Sequence, residues 1–255
     1  LIEEELGVYL DEDALDPDAT LGELQAMIDA AAGERREQGI LAWPLNPAVG
    51  ALRIAAWQAV VRPVAGVFYR LRVSGLEHLR GLDGPVLFAA NHHLHNDNVL
   101  ILSAIPLRWR RKLTVAAAAD DIFGSRWRGF VAALLGNAFP MAREGAVRRS
   151  FELLGARLDR GFSVLIYPEG KLTVGGPLQP FKSGTGLVAI HGATPVVPIR
   201  LKVHRPSRID ADVQAPGRRP WRGEVEVVFG RPMRFGIDTD PNAATAEIER
   251  AVAAL

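Results

Sequence analysis

The 255-residue chain is 48% hydrophobic and 23% charged, the proportions of a globular protein with a sizeable core. It has no cysteine, which excludes a disulfide framework, a thiolate zinc site and a cysteine nucleophile. Its net charge of +1 conceals an asymmetry, because residues 1–38 hold twelve acidic and two basic side chains whereas residues 39–255 hold 17 and 28. The basic part suits anionic lipid, phosphate or an acidic protein. Because no recognition motif or lysine-rich run accompanies it, we expect no nucleic-acid partner.

Residues 1–38 form an acidic helical segment in a chain that starts at Leu1 rather than Met and shows no signal peptide. Thr20 and Glu23 predict a capping box for a helix over residues 21–32. The segment resembles the second half of an acyl carrier protein, without the Asp-Ser-Leu motif that bears the prosthetic group. An acidic helical linker is the alternative. The start at Leu1 suggests a fragment of a longer protein.

Residues 39–74 form the second predicted region, whose most apolar part is interrupted by arginines and by Pro63, which predicts a kink. No run of about 20 uncharged apolar residues occurs, so we expect no membrane-spanning helix. Trp57, Phe68 and Tyr69 with spaced arginines are typical of an amphipathic helix on a membrane surface. A helix packed on the protein body is the alternative.

Residues 85–98, PVLFAANHHLHNDN, contain the candidate catalytic groups. The first six predict a short buried strand that ends in a polar cluster, which is where α/β proteins place their chemistry. His92 and Asp97 are five residues apart, so a tight turn into a helix can bring the carboxylate to one imidazole nitrogen. The other nitrogen is then free to take a proton from a hydroxyl. A metal site is the alternative, with four possible ligands: His92, His93, His95 and Asp97.

The pattern Asn-His-x-x-x-x-Asp after an apolar strand resembles the first block of the glycerolipid acyltransferases, the family of 1-acylglycerol-3-phosphate acyltransferase. The resemblance covers residues 75–235 in four blocks. It implies a glycerol-3-phosphate acyltransferase-like α/β fold, with a central mixed or parallel sheet flanked by helices and with N-terminal amphipathic helices. Residues 75–255 would form the acyltransferase domain.

Two predicted elements follow the first block. A short segment at residues 106–112 places four cations around Trp109, as a contact for anionic lipid or as a solvated loop. Residues 113–118 predict a strand. Residues 120–135 predict a helix with four side chains expected in the core: Phe123, Trp127, Phe130 and Leu134.

Residues 136–143 resemble the second block of the family, in which an arginine grips the phosphate of the acceptor. Arg143 is the matching residue, and a guanidinium can hold two phosphate oxygens at once. Phe139 matches the aromatic or aliphatic position of the block and is a candidate substrate contact. A surface arginine is the alternative for Arg143.

Pro168, Glu169 and Gly170 follow a predicted strand and resemble the third block, the most specific of the four. Glu169 can hold Arg143 or the hydroxyl groups of the acceptor, and Gly170 lets the backbone approach a ligand. Most family members continue with Thr-Arg, whereas this chain has Lys171, a cation without bidentate geometry. The departure leaves the identity of the acceptor open.

The remaining elements continue an alternation of strands and helices, which predicts an α/β fold. Helices are predicted over residues 146–160 and 241–254, the second of them capped by Asp240. Strands are predicted over residues 163–167 and 224–229. Residues 194–199 are apolar and resemble the fourth block, which lines the acyl site in the family.

Taken together, the blocks imply an O-acyltransferase that moves a fatty acyl group from a thioester of coenzyme A or acyl carrier protein to a hydroxyl of a lysophospholipid or glycerol-phosphate acceptor. We expect no bound cofactor and no metal. The expected partners are membrane lipids, the acceptor and an acyl donor, supplied by a carrier protein or a fused acyl ligase, in a cytoplasmic protein at the membrane surface. Three alternatives stay open: a tafazzin-like transacylase, a lipid- or carrier-binding module without activity, and a metal-dependent hydrolase.

Overall fold

The computed structural model describes Thr20, Gly22, residues 42–142, 147–174, 176–210, Val213 and residues 219–255, with residues 147–149 described by their backbone alone. Contacts divide the chain into two units, Leu1–Gly50 and Ala51–Leu255. The sheet and the candidate site belong to the second unit. The predicted acidic segment over residues 1–38, with its carrier-protein resemblance, lies outside the described residues except for Thr20 and Gly22.

The second unit is built on a single seven-stranded sheet. Its strands in chain order are β1 Tyr69–Ser74, β2 Leu87–Ala90, β3 Leu113–Ala118, β4 Ala138–Met141, β5 Ser163–Ile166, β6 Val196–Arg205 and β7 Gly223–Phe229. Across the sheet they lie in the order β1-β7-β6-β2-β5-β3-β4. All neighbours pair in parallel except β6 and β7. The carboxyl ends of β2 to β6 therefore share one edge of the sheet, called here the carboxyl edge.

Helices cover both faces of the sheet. In chain order they are α1 Pro47–Ala56, α2 Arg62–Phe68, α3 Asp97–Ala104, α4 Leu107–Arg110, α5 Arg126–Gly136, α6 Val147–Asp159, α7 Gly184–His191 and α8 Pro241–Ala254. Alternate side chains of β2 enter different cores, because successive side chains of a strand point to opposite faces. Phe88 packs in one core cluster and Leu87 and Ala89 in the other. The predicted α/β class, a mixed sheet flanked by helices, is confirmed.

The predicted break near Pro63 takes the form of a π-helical turn, Trp57–Val61, between α1 and α2. Arg53 Nε donates to the carbonyl of Leu134 at 2.6 Å, and Trp57 Nε1 donates to that of Leu135 at 2.8 Å. These carbonyls belong to the last turn of α5, where a helix has no N–H donors of its own for them and where a cation is favoured. Burial lowers the pKa of Arg53 to about 10. Arg53, expected to interrupt a membrane-surface helix, therefore anchors that helix to the protein body.

The predicted helical region over residues 39–74 is not helical in its last six residues. Tyr69–Ser74 is β1, in register with β7 so that Tyr69 lies beside Gly223. Tyr69 is buried while Arg70 is exposed, the alternation of an edge strand with one covered face. The long-range pairing with β7, 150 residues later in the chain, decides this element.

The helix predicted from residue 120 begins at Arg126, and two of its aromatic side chains are not in the core. Trp127 is 72% exposed and Phe130 is 46% exposed. The buried residues of α5 are Gly129 and Ala133. A Cβ at position 129 would lie 3.0 Å from the ring of Phe123, so α5 packs closely through small residues and turns its large ones outward.

Both interpretations of residues 106–112, a contact for anionic lipid and a solvated loop, are wrong for the two central residues, Trp109 and Arg110. Trp109 and Arg110 are both buried, and the ring of Trp109 meets Phe88 edge to face at 6.2 Å. The Arg110 guanidinium donates to the carbonyl of Leu102 and to Gln58 Oε1, each at 3.0 Å. These contacts satisfy part of the guanidinium of a buried cation that the sequence pattern placed at the surface, whereas its Nε is buried without a hydrogen-bond partner.

Other predicted elements are confirmed. The strand over residues 113–118 is β3, and α8 ends at Ala254 as expected. Asp240 caps α8 by accepting a hydrogen bond from Ala243 N at 2.8 Å. In the part of the chain that the structure describes, no helix combines the length and apolar character needed to cross a bilayer.

Candidate active site

The candidate site starts at the carboxyl end of β2, which is the central strand of the sheet because three strands lie on each side of it. Asn91, the next residue, accepts a hydrogen bond from Leu201 N at 2.7 Å and donates to Leu201 O at 3.1 Å. Its side-chain amide thus takes over the pairing with β6, and the backbone is released from the sheet into a turn. Sequence reasoning did not single out Asn91 for this role.

His92 and Asp97 form a hydrogen-bonded pair within that turn. Nδ1 of His92 lies 2.9 Å from Oδ2 of Asp97. The Asp97 side chain is completely buried, whereas that of His92 is 23% exposed. A carboxylate at Nδ1 favours the tautomer with a proton on Nδ1, which leaves Nε2 as a proton acceptor. The geometry expected from the five-residue spacing is therefore present.

The Asp97 carboxylate is held by the backbone of the same turn. It accepts hydrogen bonds from the amide of His93 and, at 2.9 Å, from the amide of Leu94. Asp97 is also the first residue of α3, where the helix dipole stabilises a negative charge. Three N–H donors therefore fix the position of the Asp97 carboxylate at the start of α3.

Glu169 connects the third sequence block to the dyad. It is 4% exposed, its Oε1 accepts from His92 N at 2.7 Å, and its Oε2 accepts from Gln179 N at 2.9 Å. Arg143, one of its expected partners, lies outside the described residues. Both carboxylate oxygens thus receive backbone N–H groups, so Glu169 positions the main chain of the base.

Pro168 and Gly170 shape the segment around Glu169. The buried Pro168 accepts a hydrogen bond from Lys182 N at 2.9 Å. Gly170 has φ +68°, and a Cβ there would lie 2.6 Å from Cε of Lys182. The left-handed backbone at Gly170 favours glycine, and the stem of Lys182 passes beside it. The Thr173 amide then donates to His92 O at 3.0 Å.

Tyr167 is a further residue of the site. Its ring stacks on His92, with ring centroids 4.4 Å apart and planes inclined by 26°. Its hydroxyl donates to Asn98 Oδ1 at 2.9 Å. Burial, together with the Asp97 charge, raises the pKa of Tyr167 well above its usual value, so the phenol stays protonated as the donor. The third block that this chain resembles includes an aromatic residue before Pro-Glu-Gly, but the resemblance did not predict the contact with His92.

A small open hollow adjoins the dyad turn. Its lining is mostly apolar and consists of Leu94, His95, Asn96, Val174, Ile209, Asp210 and Val213. Asn96 donates to the Tyr69 hydroxyl at 3.2 Å, and that hydroxyl donates to the Asp210 carboxylate. Burial and the hydrogen bond to Asp210 raise the pKa of Tyr69. This chain of hydrogen bonds ties the turn to β1 and to the loop after β6.

Not every candidate residue reaches the dyad. Phe139 has no exposed surface and lies under the Arg157 guanidinium, 4.2 Å from its ring centroid, which does not support a contact with substrate. Lys171 is exposed at the surface beside the third block. Within the described ranges, no group of three or more His, Asp or Glu side chains is arranged to hold a metal ion.

The central His-Asp pair at the carboxyl edge of a mostly parallel sheet agrees with the class implied by the four sequence blocks, the α/β acyltransferases. A family model described as Acyltransferase matches residues 70–202, just over half of the chain. The chain belongs to this family.

Similar proteins carry related names. The chain is 30% identical over 139 residues to "1-acyl-sn-glycerol-3-phosphate acyltransferase BAT2, chloroplastic" of Brassica napus, covering 52% of this chain and 38% of that protein. It is 30% identical over 166 residues to "Lyso-ornithine lipid O-acyltransferase" of Pseudomonas aeruginosa, covering 64% of this chain and 58% of the relative. The chain thus spans about two fifths to three fifths of these relatives.

A solved structure shares the fold. It is the 1-acyl-sn-glycerophosphate (LPA) acyltransferase PlsC from Thermotoga maritima, with a TM-score of 0.52 and 19% sequence identity. The match covers 80% of this chain and 83% of that chain.

Proposed function

We propose that the protein is an O-acyltransferase that transfers a fatty acyl group from a thioester to a hydroxyl of a lysophosphatidate-like acceptor. The observation that carries the proposal is the hydrogen bond of 2.9 Å between His92 and the fully buried Asp97, with the imidazole partly open to solvent. Membership of the acyltransferase family supports the reaction class.

The proposed reaction needs no covalent acyl-enzyme. Nε2 of His92 takes the proton of the acceptor hydroxyl as its oxygen attacks the thioester carbonyl. The tetrahedral intermediate then expels the thiolate, which takes the proton from the imidazolium. Asp97 stabilises the imidazolium that forms between the two steps. Holding both substrates beside Nε2 supplies a large share of the rate enhancement.

Arg143 and Lys171 are the proposed ligands for the phosphate of the acceptor, with Glu169 and Gly170 shaping the turn that carries Lys171. The exposed position of Lys171 supports this role. A lysine is a point charge and does not impose the bidentate geometry of arginine. The acceptor is therefore lysophosphatidate or another lysolipid, and the Pseudomonas aeruginosa relative is named for a lyso-ornithine lipid. A tafazzin-like transacylase is the related alternative for a chain with lysine in this block.

The acyl donor is a thioester of coenzyme A or of an acyl carrier protein. The acidic segment at residues 1–38 supports a carrier, or a fused acyl ligase, as the source. Kinetics with both donors, for the full chain and for a chain without residues 1–38, test this point. Unchanged kinetics with every donor after the deletion would contradict a role for the segment.

Membrane association of residues 39–74 is part of the proposal. Val60, Val64 and Val67 are each at least half exposed and are spaced four and three residues apart along the π-helical turn and α2. Such spacing puts them on one face of the helix, which suits contact with a lipid surface. The proposed location is the cytoplasmic face of a membrane.

The test is thioester consumption with a panel of lysolipid acceptors and both donors, with product identified by mass spectrometry. Turnover by the wild type and its loss in His92→Ala, with an unchanged melting temperature, would support the proposal. Binding of lipid without turnover would favour an inactive lipid- or carrier-binding module. Hydrolysis that is abolished by a chelator, with metal found by elemental analysis, would favour the metal-dependent hydrolase.

A further inference from the structure

Helix α5 presents its largest side chains to solvent. Trp127 and Phe130 are stacked on each other, with ring centroids 5.9 Å apart, and are 72% and 46% exposed. The buried side of the helix carries Gly129 and Ala133 instead. Two stacked aromatic side chains on the outer side of a helix form an exposed apolar patch. Such a patch is typical of a site that contacts another protein or a membrane.

The position of this aromatic pair follows from the topology. α5 connects β3 to the parallel strand β4, so its first turn lies near the carboxyl edge, where β3 ends. Trp127 is the second residue of α5. His92, which follows the end of β2, belongs to the same edge. The exposed aromatics therefore stand at the edge on which the candidate active site opens.

A second exposed tryptophan stands at the other end of this edge. Trp221 is 58% exposed and lies two residues before Gly223, the first residue of β7. This strand starts at the carboxyl edge because it runs antiparallel to β6. Its ring lies 5.7 Å from that of Phe68, and the Arg208 guanidinium lies 5.6 Å from the ring centroid. In the strand order, β2 lies between β7 and β3. The dyad is therefore flanked by Trp221 on one side and Trp127 on the other.

Both tryptophans are accompanied by cations. Arg126 and Arg128 are exposed next to Trp127, and Arg208 and Arg222 are exposed around Trp221. Acidic groups are also present near α5, since Arg128 pairs with Asp121 at 3.2 Å and Asp120 is exposed. Tryptophan rings favour the interface between lipid headgroups and acyl chains, and neighbouring arginines can bind lipid phosphates.

We infer that the carboxyl edge docks on an anionic bilayer, with Trp127 and Phe130 at one end and Trp221 at the other inserted at the level of the headgroups. The inference rests on the proposed function, because the lysolipid acceptor named there resides in a bilayer. Docking would place His92 over the lipid surface from which the acceptor enters. A second copy of the chain seated on both tryptophans would instead cover the opening of the site.

The test compares Trp127→Ser/Phe130→Ser and Trp221→Ser with the wild type in the full chain. Ile237→Ser is the matched control, because Ile237 is 69% exposed and follows Met233, which bridges to the first residue of β6 at the opposite edge. Binding is measured by sedimentation with vesicles of phosphatidylcholine and phosphatidylglycerol in equal parts. Quenching of tryptophan fluorescence by brominated lipid reports insertion.

We expect each aromatic variant to partition into vesicles about tenfold more weakly than the wild type, and Ile237→Ser to bind as the wild type does. Quenching in the wild type should fall when Trp127 or Trp221 is replaced. Turnover of a short-chain acceptor below its micellar concentration should be unchanged, while turnover of acceptor presented in vesicles falls.

Equal vesicle binding by all four proteins would overturn the inference. A change of oligomeric state in the aromatic variants without a change in vesicle binding would also overturn it, because it would identify a second copy as the occupant. Equal loss of turnover on the soluble acceptor would likewise contradict it. Tryptophan-dependent vesicle binding in a protein that turns over no acceptor would support the inference while refuting the proposed function.

Discussion

Tyr167 lies face to face with His92, and its hydroxyl is tied to Asn98 in the first turn of α3. One face of the imidazole is thereby covered, while Asp97 holds the ring through Nδ1. The orientation of the candidate base thus depends on two elements that are 70 residues apart in sequence, the end of β5 and the start of α3.

Replacing Tyr167 should separate the effect of its ring from that of its hydroxyl. Tyr167→Phe keeps the stacked ring and should remain within a few-fold of the wild-type kcat, because it loses one hydrogen bond of about 1 kcal/mol. Tyr167→Leu removes the aromatic face, and a poorly placed base should lower kcat by roughly 10- to 100-fold with little change in the KM of the acyl donor. Steady-state kinetics of both variants measure this. Equal damage in both would show that the hydroxyl, not the ring, is important.

Asp97→Asn should lower kcat by on the order of 10²- to 10⁴-fold. Asparagine has one acceptor oxygen where aspartate has two. Its NH2 group would therefore point at a donor, either a backbone N–H of the turn or the protonated Nδ1 of His92. The tautomer with Nδ1–H is then no longer favoured, and Nε2 ceases to be the acceptor. Kinetics together with the imidazole nitrogen shifts in NMR measure rate and tautomer separately. A wild-type rate in this variant would rule out the proposed dyad.

Glu169→Gln should reduce both stability and activity although the side chains have nearly the same shape. The two carboxylate oxygens accept from His92 N and Gln179 N, and glutamine would turn an NH2 group toward one of these donors. A buried N–H without an acceptor costs about 1–3 kcal/mol. Urea unfolding measures the loss. Glu247→Gln, at an exposed position of α8, is the matched control and should be neutral; equal stability of both variants would argue against the positioning role.

Arg53→Ala should destabilise the protein by about 2 kcal/mol or more, because it removes charge-assisted hydrogen bonds to the last turn of α5. Arg70→Ala provides the comparison, since Arg70 is exposed and its ion pair with Glu224 is 4.0 Å long. An exposed pair of this kind contributes little. Thermal unfolding of the two variants measures the difference. Similar melting temperatures would contradict the anchoring role of Arg53.

Gly170→Ala and Gly66→Ala should change stability in opposite directions. An alanine at Gly170 must adopt φ +68° and would lie against the Lys182 stem, so a cost of about 1–2 kcal/mol or more is expected. Gly66 lies in α2 with open space around its Cβ position, and alanine should stabilise that helix by up to about 1 kcal/mol. Urea unfolding of both variants tests the pair. Stabilisation by Gly170→Ala would show that this turn does not require glycine.

Local patterns were sufficient where a structural feature depends on neighbouring residues. The strand over residues 113–118, the Asp240 cap and the His92–Asp97 pair each follow from propensity, a capping side chain or a short spacing. Such features are decided within one element or one turn, so the sequence alone determined them. The order of the four blocks likewise identified the family.

The tertiary structure decided which side of an element is buried and which distant residue satisfies a polar group. Hydrophobicity predicted Trp127 in the core, but close packing through Gly129 turned it outward. Tyr69 is in a strand because it pairs with β7. Arg53 is buried because carbonyl groups of α5 accept hydrogen bonds from its guanidinium. The placements of Tyr69 and Arg53 depend on contacts between residues about 80 to 150 positions apart, which no local pattern contains.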